Sequence, residues 1–237
     1  MKAIILAAGQ GKRIKKIHDL PKGLIKFGKQ KISIINRLCS LLEKKKIKKI
    51  IVITGFKKNA LKKELGKRVK YIYSPNFKNS NNLQSLLVAK KELNESFLCF
   101  FADLVFEEQI LNKVLLKKSQ VCLAVDTGKV LDGTMRIKKK KKYIVDIGSH
   151  IPVKSGDGNF IGISKFSKKA ALELKKNLIK EKNNKIDYYT QAIRGMIKKR
   201  KKIKFVDCKN SFWKEIDTYK DLCDMKDLIK KKKFKYQ

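Results

Sequence analysis

A three-layer α/β/α domain of Rossmann-like construction, with a mostly parallel central sheet, is the fold class the sequence predicts, and three observations carry it. Short apolar blocks such as Ile50-Ile51-Val52-Ile53 and Phe97-Leu98-Cys99-Phe100-Phe101 read as strands buried on both faces. Segments with helical apolar spacing lie between them, and that alternation calls for crossovers in a parallel sheet. At 237 residues, 43% of them hydrophobic, the chain can bury one substantial core. The expected organisation is a single domain over 1–237, with a frayed, lysine-rich tail from about 229.

The elements follow in order. Ala3 to Ala8 is an apolar strand that runs into Gly9-Gln10-Gly11. In Ile32 to Lys46 the residues Ile34, Ile35, Leu38, Leu41 and Leu42 share one helical face, with a basic face opposite. Ile50 to Thr54 is a strand ended by Gly55, Asn59 to Leu65 a short helix stopped by Gly66, and Val69 to Tyr73 an alternating strand. After the polar, turn-rich stretch from Pro75 to Asn82, Leu83 to Leu93 returns to helix. Phe97 to Phe101 is the central strand, ending at Ala102-Asp103, the kind of strand end where open α/β sheets place ligands. Glu107 to Lys117 is helical and Val121 to Val125 extended; Met135 to Ile137 and Tyr143 to Ile147 form a hairpin across the solvated run Lys138 to Lys142. Phe160 to Ser164 and Ile203 to Asp207 are strands, and Lys168 to Leu178, Tyr188 to Met196 and Thr218 to Leu228 are helices.

Composition excludes several classes. No apolar stretch reaches ~18 residues, so no membrane span is expected. Five cysteines without C-x-x-C spacing argue for reduced thiols in a cytoplasmic protein, against a disulfide framework or zinc site. The formal charge of +39 raises nucleic-acid binding as an alternative function. Only six of the 60 basic residues are Arg, however, and the lysines are spread over the whole chain, whereas base recognition favours Arg forks and stacking aromatics in one patch. No specific nucleic-acid partner is expected, and homodimerisation is left open.

The chemistry-bearing segment is the first 22 residues. Two glycines after a buried strand let backbone N–H groups approach an anion, and Lys12, Arg13 and Lys22 add positive charge there. The spacing fits neither of the common phosphate loops. A Walker A loop needs four residues between its glycine and Gly-Lys-Ser/Thr, and only Gln10 separates Gly9 from Gly11-Lys12. The dinucleotide fingerprint needs a small residue where Ile14 stands. Candidate carboxylates for a divalent cation are Asp103, directly after the central strand, and Asp217 in Trp213-Lys214-Glu215-Ile216-Asp217.

The pattern AAG-x-G-x-R followed by Pro21-Lys22 resembles the signature of nucleotidyltransferases that join a nucleoside monophosphate to a phosphorylated small molecule. Asn81-Asn82-Leu83-Gln84-Ser85-Leu86, Phe101-Ala102-Asp103, Asp157-Gly158-Asn159-Phe160-Ile161-Gly162-Ile163 and Glu215-Ile216-Asp217 follow in the order found in the branch containing phosphocholine, aminoethylphosphonate and sugar-phosphate cytidylyltransferases. The resemblance implies the nucleotidyltransferase fold and CTP as donor. It also implies roles for particular residues. Leu6, Ala7, Ala8, Gly9 and Gly11 would form the nucleotide loop, with Lys12 and Arg13 gripping the triphosphate and Lys22 reaching the α-phosphate region. Asn82 and Ser85 would lie beside the base, and Asp103 and Asp217 would hold Mg²⁺.

The acceptor side is less determined. A phosphocholine-like acceptor calls for an aromatic cage with nearby negative charge. Phe160, Tyr188, Tyr189 and Trp213 are the candidate rings and Asp187 the candidate charge. Two departures from the branch are visible: Gly158-Asn159 stands where Gly-Glu is usual, and Thr190-Gln191 follows the paired tyrosines in place of an acid. The alternative enzyme reading is a sugar-1-phosphate nucleotidyltransferase using another nucleoside triphosphate.

Overall fold

Strand β1 (Lys2–Ala7) is buried along its whole length in a computed structural model that describes residues 1–184 and 186–236. The remaining elements are β2 (Lys26–Phe27), β3 (Ile32–Ser33), α1 (Ile34–Lys44), β4 (Ile50–Thr54), α2 (Lys58–Leu65), β5 (Lys70–Tyr73), α3 (Asn82–Val88), β6 (Phe97–Phe101), β7 (Leu104–Phe106) and α4 (Glu108–Leu116). They continue with β8 (Val121–Asp126), β9 (Met135–Lys140), β10 (Tyr143–Gly148), β11 (Gly158–Phe166), α5 (Lys168–Lys180), α6 (Thr190–Lys198), β12 (Ile203–Asp207), β13 (Trp213–Glu215) and α7 (Tyr219–Lys230).

Among the described residues the main sheet runs β5-β4-β1-β6-β11-β8-β12-β10-β9, with β11 also pairing β9. The pairings set seven strands in one direction and only β10 and β11 in the other, so the sheet is mostly parallel, as the sequence predicts. Alternation along β1 feeds two cores. Ala3, Ile5 and Ala7 face a cluster built with α1, α2 and α4, while Ile4 and Leu6 face one built with α3, α5 and α6. Burying side chains such as Ile5 or Phe100 completely contributes roughly 1.5–3 kcal/mol each. No described helix is long and apolar enough to cross a membrane. The four cysteines buried here, Cys39, Cys99, Cys122 and Cys208, form no disulfide, and burial pushes the Cys99 and Cys208 thiols up to about 12.

Four departures from the sequence reading matter. The helix expected over 83–93 ends at Val88, followed by a 3₁₀ turn, Lys90–Glu92, whose Glu92 carboxylate accepts from Lys2 Nζ and Lys70 Nζ. After β6 the chain does not pass straight to a helix: β7 pairs antiparallel with β13, three residues each, too short to show a period. The tail does not fray. Phe234 and Tyr236 are buried against Phe27, Phe212 and Arg37, joining a third cluster with Ile14, Ile25, Val105 and Ile216. The lysine run is partly strand, because Lys138–Lys140 completes β9 and the turn falls at Lys141, at φ 52°.

Candidate active site

The carboxyl end of β1 opens into a cleft of about 200 Å³, lined along one side by Leu6, Ala7, Ala8 and Gly9. Asn82 and Ser85, at the start of α3, also line it. Asn81 caps that helix by accepting from Asn82 N, and the Asn82 side chain in turn accepts from Tyr189 N at 2.8 Å. The helix start is thereby fixed against the segment carrying Tyr188, which also faces the cleft.

Lys22 lines the cleft from the 3₁₀ turn that Pro21 initiates. Gly11, at φ +60°, is what admits it: a Cβ there would lie 3.0 Å from Lys22 Cγ. The ammonium donates to Asp103 Oδ2 and to Asp217 Oδ1, and Arg13 Nη2 donates to Asp217 Oδ2 at 2.6 Å. Burial alone would lower the Lys22 pKa, but the two facing carboxylates outweigh it and raise it above the ordinary lysine value.

The two aspartates meet because of the small β7/β13 sheet. Asp103 immediately precedes β7, Glu215 ends β13, and Ile216 N donates to Asp103 O at 3.0 Å. Asp217 is held just before α7 by a capping box in which Thr218 and Asp221 bond reciprocally; Asp217 N also donates to Asp221 Oδ2 at 3.2 Å. Alternation across Glu215-Ile216-Asp217 sends Ile216 into the third core cluster and both carboxylates to the cleft.

Glu215 is the residue that sequence reasoning missed. Its carboxylate, with those of Asp103 and Asp217, offers oxygens all within 4.8 Å of one another. Burial, then the charges of Asp103 and Asp217, push its pKa up to about 8. The i, i+2 relation to Asp217 was the available signal. Three converging hard-oxygen donors whose mutual repulsion exceeds what Lys22 neutralises suit a divalent cation of the Mg²⁺ type, so the residues fit the metal the sequence calls for.

Of the other expected site residues, Lys12 is exposed and lies outside the cleft lining. The expected aromatic cage is not assembled. Tyr189 is fully buried, its hydroxyl 3.0 Å from Ser164 Oγ and its ring edge-on to Phe101 and Phe160; Phe160 is a core residue too. Aromatic rings in loops and in cores look alike in sequence, which is why the expectation of acceptor contacts differs from these core positions. Asp187 turns away to accept from Asn184 Nδ2. Trp213 lines a neighbouring cavity, where its Nε1 donates to Asp126 Oδ2 at 2.8 Å.

Comparison with known proteins agrees with this architecture. Choline-phosphate cytidylyltransferase of Streptococcus pneumoniae (strain ATCC BAA-255 / R6) is 32% identical over 116 residues, 47% of this chain. The match spans about half of that relative's length, 49%. Among solved structures, the inositol-1-phosphate CTP transferase from T. maritima superposes with a TM-score of 0.79 at 19% identity, covering 100% of this chain and 97% of the other. The CTP:phosphocholine cytidylyltransferase from Streptococcus pneumoniae gives 0.76 at 21% identity, over 96% and 98%. At these identities the superpositions establish the fold. Residues 3–144, which contain the glycine loop, Lys22 and Asp103, match the MobA-like NTP transferase domain over more than half of the chain, and it is to this family that the protein belongs.

Proposed function

We propose that the protein is a Mg²⁺-dependent cytidylyltransferase, moving CMP from CTP to a phosphorylated or phosphonate small molecule with release of pyrophosphate. The observation that carries this reading is the convergence of Asp103, Glu215 and Asp217 around the Lys22 ammonium, at the end of the glycine loop. An ionised oxygen of the acceptor phosphate attacks the α-phosphorus of CTP. The bond from that phosphorus to the α–β bridging oxygen breaks, and pyrophosphate leaves with the electron pair. No general base is required, since the acceptor oxygen already carries its charge near pH 7.

The residues of the chain then align and stabilise. Backbone N–H groups around Gly9 receive the triphosphate, and Arg13 adds charge at its edge. Lys22 neutralises the oxygens of the reacting phosphoryl group from a position set by Gly11 and Pro21. Asp103, Glu215 and Asp217 would hold Mg²⁺, which when bound supplies charge neutralisation at the phosphoryl oxygens. Asn82 and Ser85 border the space for the base. CTP as donor is supported by the cytidylyltransferase relative and by the two CTP-using structural neighbours.

The test is a pyrophosphate-release screen of the four nucleoside triphosphates against phosphocholine, aminoethylphosphonate, and sugar and polyol phosphates. CTP-dependent release that requires Mg²⁺ is expected. Release with another triphosphate in preference to CTP would replace the donor assignment, and no nucleotide binding in the presence of metal would remove the reading altogether.

A further inference from the structure

Arg37 of α1 is only 7% exposed, yet its Nε has no hydrogen-bond partner and its guanidinium is in no ion pair among the described residues. Arg136 shows how this chain treats a buried arginine whose role is structural. It is as deeply buried, and its three nitrogens donate to the carbonyl oxygens of Ile151, Leu131 and Ser149. We propose that Arg37 anchors a second anion site, apart from the nucleotide cleft, that takes a phosphate group between α1 and the carboxyl-terminal segment. The proposal does not depend on the nucleotidyl-transfer reading.

Arg37 lines a cavity of about 430 Å³ whose other walls come from the start of α4 and from residues 233–235. That volume lies within the ~300–1,000 Å³ typical of small-molecule sites. The cavity shares no lining residue with the cleft or with the space beside Trp213. Four cations, Arg37, Lys44, Lys233 and Lys235, face two carboxylates, Glu107 and Glu108, so four less two leaves an excess of two positive charges. Both acids are already engaged. Glu108 pairs with Lys44 at 2.9 Å and with Lys45, while Glu107 Oε2 accepts from Phe212 N at 2.9 Å and from Gln109 Nε2. Lys233 and Lys235, both exposed, have no ion-pair partner among the described residues.

Nothing within the described chain neutralises Arg37. A guanidinium does not shed its proton in a protein, so its buried charge has to be met from outside. Burial holds its pKa below the ordinary arginine value, opposed by Tyr236 and Glu108, but burial also pushes the Tyr236 hydroxyl up and keeps it neutral at pH 7. The rings of Phe234 and Tyr236, with centroids 5.6 and 5.2 Å from the guanidinium carbon, attract the charge but accept no in-plane N–H bond. A phosphate supplies what is missing. It is a dianion, matching the excess of two, and its oxygens suit the planar fork of arginine, with Lys233 and Lys235 as flanking point charges. A carboxylate would bring one charge and two oxygens.

The test uses the full chain without nucleotide or metal, and measures melting temperature and calorimetric affinity for inorganic phosphate and for glycerol 3-phosphate against chloride at matched ionic strength. Both phosphates should raise the melting temperature where chloride does not. Lys233→Glu/Lys235→Glu should weaken their binding by about tenfold or more. The charge-matched control Lys176→Glu/Lys180→Glu, on α5, should stay within about twofold. Arg37→Gln should abolish binding; if that variant does not fold, the lysine pair carries the test. A tighter ester assigns the site to an organic phosphate, and equal affinities assign it to the free ion. Equal weakening in the two double variants would mean general screening of the net charge and would overturn the proposal. So would binding lost in Arg13→Ala but untouched by Lys233→Glu/Lys235→Glu, which places the anion in the cleft, or binding seen only after deletion of Gln237, which assigns the guanidinium to that residue.

Discussion

The ammonium of Lys22 is clamped between Asp103 and Asp217, residues brought to it from 81 and 195 positions along the chain. A positively charged group held in this way is preorganised, so it costs little reorganisation when charge develops on a phosphoryl oxygen. Lys22→Ala and Asp103→Ala should each lower pyrophosphate release by ~10²–10³. Urea unfolding of both variants should remain cooperative, which separates loss of chemistry from loss of fold. Turnover within a few-fold of the unaltered protein in either variant would remove that residue from the reaction.

The same clamp sets up a competition. With Lys22 present, a divalent cation entering among Asp103, Glu215 and Asp217 must compete with an ammonium already in place. Lys22→Met should therefore bind Mn²⁺ more tightly than the unaltered protein when no nucleotide is present, by about tenfold if one ion pair of ~1.4 kcal/mol is relieved. Titration calorimetry or Mn²⁺ electron paramagnetic resonance reads this without any turnover. Weaker Mn²⁺ binding in Lys22→Met would show that the lysine supports the carboxylate site instead of competing for it.

Much of this site is legible in the sequence because its parts sit at abrupt boundaries. The apolar run of β1 ends at Ala8-Gly9, that of β6 at Asp103, and the aromatic pair Phe212-Trp213 leads to Asp217; each transition marks a strand end facing the cleft. Glu215 escaped because three residues of β13 cannot show a period, and its partner β7 lies more than 100 positions earlier. The core positions of Tyr189 and Phe160 are illegible in the sequence for the complementary reason. Burial is decided by tertiary packing, and nothing local distinguishes a ring packed edge-on against Phe101 from one lining a pocket.

That distinction can be measured. Tyr189→Phe removes a hydroxyl whose partner, Ser164 Oγ, is fully buried, leaving a buried polar atom unpaired at a cost of ~1–3 kcal/mol. The variant should lose stability in urea while keeping its acceptor KM within about twofold, as expected for a side chain that contacts no substrate. Tyr188→Ala, one position away but facing the cleft, should instead raise a substrate KM with little change in stability. If Tyr189→Phe raised the acceptor KM tenfold at unchanged stability, the core placement would be wrong.

The capping box before α7 links stability to the site. Burial alone would raise the Asp221 pKa, but hydrogen bonds from Thr218 and the neighbouring Lys214 hold it below the usual value of 3.8. A depressed carboxylate contributes stability that is present above its unfolded pKa and is lost as pH falls through the folded one. The contribution of Asp221 should thus be intact at neutral pH and fade only below about pH 4. Thr218→Ala should cost ~1 kcal/mol at pH 7 by urea titration, and Asp221→Asn should lose less relative to the unaltered protein as pH falls below 4. Because Asp217 N donates to Asp221 Oδ2, Asp221→Asn should also weaken Mg²⁺ binding, raising the Mg²⁺ needed for half-maximal rate.

The carboxyl-terminal aromatics provide a test of the third core cluster. Phe234 packs on Phe212 with ring centroids 4.4 Å apart, Tyr236 sits edge-on to Phe27, and the Arg37 guanidinium lies over both tail rings. The cluster also contains Ile216, the residue between Glu215 and Asp217. Truncation before Phe234 would expose Arg37 and remove packing around Ile216, in the segment that aims two of the three carboxylates. Phe234→Ala should cost ~3–5 kcal/mol in urea or thermal unfolding. It should also lower kcat more than it changes the KM for nucleotide, since a sub-ångström shift in carboxylate position weakens transition-state stabilisation more than ground-state binding. A truncated protein with undiminished stability would mean that the tail lies free of the body in solution.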